Sequence, residues 1–300
     1  MAIALFFLFG LIIGSFLNVC ITRIPEGVSI VSPGSRCPNC ETPIKPYDNV
    51  PVLAWFWLGG KCRACGNPIS AMYPAIELLT ALLFVACYLT FGFTPETFKW
   101  LFFTGLVIVL TITDVRVRLL PDAVNFFGLG LGLAFASHIS PIDPTCMRLL
   151  DRFPFLTRNP MVLGVSCAIL GAAAGSLLLL AAAALYRLVR GRDGMGMGDV
   201  KMMLMVGTFL GIQGTFLTLL FGTLLGSLIG LLLVIVLFFT GWKGKVAERA
   251  NRKGLGSISS LRWTIASRYQ LPLGTFLGIA ALLVVFFGRW IDMQAYRFLR

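Results

Sequence analysis

Apolar residues in this chain are gathered into long blocks separated by short polar stretches. The block LLFGTLLGSLIGLLLVIVLFF, residues 219–239, is long enough to cross a hydrocarbon core of about 30 Å as a helix. Blocks of this kind predict eight transmembrane helices, over residues 2–22, 74–91, 97–114, 122–138, 161–186, 200–212, 214–240 and 271–291. The sixth is short for a full crossing. No segment alternates apolar and polar residues as barrel strands do. The pattern therefore predicts an all-α polytopic membrane protein with about eight transmembrane helices.

Composition agrees and excludes a water-soluble domain: of 300 residues, 57% are hydrophobic and 13% charged. The first 22 residues, MAIALFFLFGLIIGSFLNVCIT, carry no basic region and no A-x-A site, so they read as a first transmembrane helix and not as a removable signal. The formal net charge of +12 raises the question of nucleic acid, but Lys and Arg in a membrane protein collect in cytoplasmic loops and set orientation. With the N-terminus outside, 18 of the 25 basic residues fall in connections that face inward. This orientation predicts a cytoplasmic loop domain over residues 23–73 and a membrane domain over residues 74–300, following the helix of residues 1–22. Two stretches read as insertions: an external one at 138–160, and a basic loop at 241–263 suited to anionic lipid headgroups more than to nucleic acid. The lipid bilayer is thus an expected partner and nucleic acid is not; the oligomeric state is not legible.

The loop of residues 23–73 is too small to build a large core unaided. Within it lie CPNC (Cys37, Cys40) and, after 21 intervening residues, CRAC (Cys62, Cys65). Paired C-x2-C units of this kind place four thiolates around one tetrahedral zinc, and a small loop gains its fold from the metal. Two disulfides or a redox-active pair are the alternatives; a reducing cytoplasm disfavours the first and the lack of a surrounding βαβ pattern the second. Four cysteines leave no open position for water, so the site reads as structural. Cys20, Cys87, Cys146 and Cys167 have no partner by spacing, and His138 lies far from the four-cysteine loop in the predicted topology.

Only 13 residues are acidic. Asp114 ends the third predicted span and Asp199 begins the sixth, both at the inward-facing end. An ionisable group there is costly and is usually functional or paired. Taken singly, Asp114 reads equally as an interfacial residue paired with Arg116 or Arg118, and Asp199 as a helix-start residue favoured by the dipole. Together they allow something else: two carboxyls at similar depth can share a proton, one activating a water while the other polarises a carbonyl. Gly196 and Gly198 beside Asp199 carry no Cβ and would let the backbone approach a peptide closely. A phosphate loop is disfavoured because G-x-x-x-x-G-K-[ST] is absent.

These residues resemble the type IV prepilin leader peptidases, membrane aspartic proteases of the GxGD type. The resemblance spans nearly the whole chain: GSFLNVCITRIP (residues 14–25), the paired cysteines, MYPAIELLTALLF (72–84), TDVRVRLLPD (113–122) and GMGDVK (196–201). It implies that Asp114 and Asp199 are the catalytic pair, with Pro121, Asp122, Gly196, Gly198 and Lys201 as supporting motif residues. It implies an enzyme of the bacterial inner membrane whose substrates are prepilins and pseudopilins, cut on the cytoplasmic side. It further implies a second activity, methylation of the new N-terminus from S-adenosylmethionine, for which Glu77 is a candidate residue. Two readings of another class stay open at this point: a transporter using the aspartates as ion sites, and a zinc-stapled scaffold with no chemistry.

Overall fold

A computed structural model describes residues 1–139, 143–191, 194, 196–239 and 272–298 of the chain. The regular secondary structure of the described residues is helical apart from two isolated β-bridges. Helix α1 runs over Ala2–Arg23, the short α2 over Leu53–Trp57, α3 over Met72–Phe91 and α4 over Pro95–Val117. They are followed by α5 (Asp122–Ala136), the short α6 (Pro144–Leu150) and α7 (Pro154–Thr157), α8 (Pro160–Arg190), α9 (Met197–Phe239) and α10 (Leu273–Phe298). Five of these, α1, α3, α4, α8 and α9, are long and apolar enough to cross a membrane, and Asp122–Ala136 and Leu273–Gly288 are shorter apolar helices.

Small residues set the packing. Gly10 and Gly14 lie one turn apart on α1 and face α3: a methyl group on Gly14 would sit 2.6 Å from the Cα of Glu77, and one on Gly10 would sit 2.5 Å from the Cα of Ala81. Close backbone approach of this kind is how helices associate where lipid removes the hydrophobic incentive. Helix α4 is the centre of the bundle, with Phe103, Val107 and Leu110 fully buried. It ends where Arg118 turns into the left-handed region and donates its amide to the Asp114 carbonyl at 2.9 Å. Pro121, in extended conformation, then opens α5 with Asp122 in its first turn.

Helix α9 is broken at Gly211, whose φ of 71° only glycine adopts freely. The contacts on either side show that the chain reverses there. Gly175 of α8 faces both Met203 and Thr215, while Gly171 faces both Gly207 and Gly211. The arms 197–210 and 212–239 therefore run in opposite directions against α8. The first arm spans roughly 21 Å at 1.5 Å per residue, short of a hydrocarbon core, but Met202, Met203, Met205, Val206 and Phe209 are fully buried. A helix enclosed by protein need not match the lipid thickness, which explains how so short a predicted segment persists.

At the far end of the bundle, Asp143 caps α6 by accepting from the Cys146 amide at 2.6 Å and reaches the Gln213 amide, just past the Gly211 reversal, at 2.9 Å. Cys146 and Cys167 form a disulfide across 5.7 Å between their Cα atoms. This corrects the expectation that both are unpaired. Helix α6 is thereby tied back onto α8, and a spacing of 21 residues carries no signal of that return. The basic stretch 241–263 lies outside the described residues.

Candidate functional site

The ends of α4, α9 and α10 converge at the end of the bundle that carries the four-cysteine loop. Asp114 stands in the last turn of α4, 6% exposed, and Asp199 in the first turn of α9. Gly274, near the start of α10, lies between them: a methyl group there would sit 2.9 Å from Asp114 Oδ2 and 3.0 Å from Asp199 Oδ1. The two carboxyl oxygens are therefore no further apart than the sum of those distances, about 5.9 Å. Asp114 Oδ2 accepts hydrogen bonds from the Thr275 amide at 2.6 Å and from the Thr275 hydroxyl at 2.9 Å. Two carboxyls this close, one of them fixed, can hold a water between them and move a proton in each direction.

The motif residues occupy distinct places around this pair. Lys201 donates to Asp122 Oδ2 at 2.7 Å and lies over the Phe126 ring, so an ion pair ties the start of α5 to the first arm of α9. Gly198 packs against Leu120, whose Cβ would lie 3.0 Å from a methyl group on that glycine. Its bare Cα thus admits the 118–121 turn. Gly196 adjoins Asp199, with Oδ2 3.7 Å from where its Cβ would stand. Leu120, flanked by Gly198 and Gly274, forms one wall of the space beside the carboxyls.

The four predicted cysteines also meet. Sγ atoms of Cys37, Cys40, Cys62 and Cys65 all lie within 4.8 Å of one another, and those of Cys37 and Cys65 are 3.8 Å apart. A tetrahedron with metal–sulfur bonds of about 2.3 Å has edges close to that value, so this donor set fits one metal ion. Each pair sits in the same knuckle. The amides of Cys37 and Cys62 donate to the carbonyls of Thr42 and Asn67, and the amides of Glu41 and Gly66 donate back to the cysteine carbonyls. Glu41 and Gly66 hold matching left-handed positions, φ 54° and 71°. The Thr42 hydroxyl and amide beside Cys40 bring its thiol down to about 6, backbone hydrogen bonds from Cys65 and Ala64 lower that of Cys62, and burial and the neighbouring thiols push that of Cys65 up to about 11. The loop is tied internally by the Arg63 fork on Asp48, at 2.8 and 2.6 Å, which holds the Asp48 carboxyl below its ordinary range.

Glu77 lies elsewhere, 8% exposed in α3, and its Oε2 accepts from the Val52 amide at 2.7 Å. Val52 is a β-branched residue held at φ 61°, a backbone outlier that surrounding contacts must maintain. Glu77 thus joins the four-cysteine loop to the membrane helices. Sequence reasoning missed Gly274 and Thr275. Their only trace was an uncharged PLGT at the start of an apolar block, and neither residue type announces contact with a carboxylate far away in the chain.

Comparison with known proteins bears on the same residues. Residues 8–91 match the bacterial peptidase A24 N-terminal domain, and residues 101–231 match the type IV leader peptidase family. The prepilin leader peptidase/N-methyltransferase of Aeromonas hydrophila is 36% identical over 257 residues, covering 78% of this chain and 81% of the relative. That of Bacillus subtilis (strain 168) is 35% identical over 247 residues, covering 82% and 86%. That of Pseudomonas aeruginosa is 32% identical over 252 residues, covering 76% and 79%. No solved structure matches the chain.

Proposed function

Because the chain belongs to the type IV leader peptidase family, we propose that it is a membrane-embedded aspartyl endopeptidase that removes the leader of type IV prepilins and pseudopilins and N-methylates the residue so exposed. The observation that carries the peptidase reading is the meeting of Asp114 and Asp199 across Gly274. One carboxylate takes a proton from water as the water oxygen bonds to the scissile carbonyl carbon. The other carboxyl protonates the carbonyl oxygen; the first then passes the proton it took from water to the departing amine nitrogen as the C–N bond breaks, and a hydroxyl of the tetrahedral intermediate returns a proton to the second carboxyl. The Asp122–Lys201 pair and the glycine packing at Leu120 hold the two helix ends in register for this exchange.

The proposed architecture has eight crossings: α1, α3, α4, α5, α8, the two arms of α9, and α10. Both termini lie outside and the loop of residues 23–73 lies in the cytoplasm, as the distribution of basic residues supports. Residues 1–22, 23–73 and 74–300 then form the first helix, the loop domain and the peptidase domain, in the bacterial inner membrane. Cys37, Cys40, Cys62 and Cys65 would hold one structural zinc, whose closed thiolate shell stabilises the loop and leaves no position for catalytic water. S-adenosylmethionine is the methyl donor that the second activity requires, and no residue is assigned to it. No observation favours ion transport or a scaffold role, since both aspartates stand at helix ends and meet each other there.

The reading is tested by incubating the purified full-length protein with a prepilin and following the mass lost from the substrate. Asp114→Asn and Asp199→Asn are each expected to slow cleavage by about 1,000-fold or more, the scale of losing an acid–base group. Wild-type rates in either variant would rule out the dyad.

A further inference from the structure

Gly274 and Thr275 stand beyond the segment 101–231 that matches the peptidase family, yet they make the closest described contacts to the reactive pair. Gly274 has no conformational reason to be glycine, because its φ is not in the left-handed region. Glycine in a helix is otherwise unfavourable. What the residue supplies is space: any Cβ would press against Asp114 Oδ2, Asp199 Oδ1 and Leu120 Cδ1 at 3.0 Å or less. Those three atoms belong to the two carboxyls and the wall beside them, so a side chain there would crowd the place where water must bind. Thr275 is a second, independent constraint. Its amide and hydroxyl converge on one oxygen of Asp114, which stops rotation of that carboxyl. Among the described residues no hydrogen bond fixes the Asp199 carboxyl in the same way.

We propose that Gly274 and Thr275 complete the catalytic centre: Thr275 positions Asp114 through Oδ2, and Gly274 keeps the space between the two carboxyls clear for water and the scissile bond. The proposal rests on the dyad reading and extends it to the last helix. Catalysis then depends on α10 docking against the ends of α4 and α9. Two carboxyls without that helix would lack both a fixed orientation and a defined gap.

The test measures kcat and KM for prepilin cleavage by full-length wild type, Gly274→Ala, Thr275→Val, Thr275→Ser and Asp199→Asn, with a melting temperature for each. Thr275→Val keeps the amide donor and the shape but loses the hydroxyl, and is expected to lower kcat about 10-fold with KM within about 3-fold. Thr275→Ser restores the hydroxyl and is expected to keep kcat within about 3-fold of wild type. Gly274→Ala is expected to lower kcat by about 100-fold, as small misplacements at a reacting centre do. A Gly274→Ala protein that melts like wild type and cleaves at its rate overturns the proposal, as does a Thr275→Val loss that serine fails to rescue. If Gly274→Ala does not fold, the comparison of valine with serine at 275 decides. Full activity in Asp199→Asn overturns the dyad and this proposal together, whereas an inactive Asp199→Asn beside an active Gly274→Ala overturns this proposal alone.

Discussion

Glu77 shows how much one buried side chain can organise. Its carboxylate is the acceptor for an amide whose residue, Val52, sits in a conformation that valine rarely adopts. Removing the acceptor leaves a partly buried N–H without a partner, at a cost of about 1–3 kcal/mol. Glu77→Ala is therefore expected to lower the melting temperature in detergent, and Glu77→Gln, which keeps an acceptor oxygen, to lower it less. Unchanged melting together with lost methylation of cleaved prepilin would instead place Glu77 in the transferase chemistry. An acid inside an apolar block was conspicuous in the sequence, as Asp114 and Asp199 were, because few acidic residues abut helices. Its partner was invisible, because a backbone amide 25 residues away has no sequence signature. Thr275 escaped notice for the same reason.

At the scale of elements, the four-cysteine loop and the broken α9 behave differently under sequence reasoning. The two C-x2-C pairs announce a joint site because thiolates at that spacing share few other uses. The matching knuckles, with bridges Arg36–Pro43 and Lys61–Pro68, follow from the same local repeat. We expect about one zinc per chain by elemental analysis and almost none in a Cys62→Ser/Cys65→Ser variant, with faster proteolysis between residues 23 and 73 once a chelator strips the metal. Full zinc in the variant would remove these cysteines as ligands. The boundaries of the long helices lay within about four residues of their predicted ends, except that α10 runs to Phe298, past the predicted end at 291. The reversal at Gly211 was legible as a separation between two apolar blocks, 200–212 and 214–240, but its close packing on Gly171 of α8 was not.

Across the whole molecule, the arrangement separates two kinds of cysteine. The thiol cluster and the two aspartates share one end of the bundle, and the Cys146–Cys167 disulfide lies at the other. Thiols persist in reducing compartments and disulfides in oxidising ones, which agrees with the orientation drawn from basic residues. Exposed probes test it: Arg152→Cys is expected to react with a membrane-impermeant maleimide in intact cells, and Ser32→Cys only after the membrane is permeabilised. The reverse pattern would invert the proposed topology.

The sequence by itself determined the membrane character, the helix blocks, the four metal-type cysteines and the two aspartates worth pairing. Each of these depends on composition, or on residue types placed close together or at helix ends. Tertiary structure alone decided that the aspartates meet across Gly274, that Thr275 clamps one of them, that Cys146 finds Cys167, and that Gly198 serves Leu120. Those facts depend on which helices become neighbours. In a bundle held by small-residue contacts on nearly uniform apolar helices, the neighbours are chosen by shape, and hydrophobic patterning carries almost no record of shape.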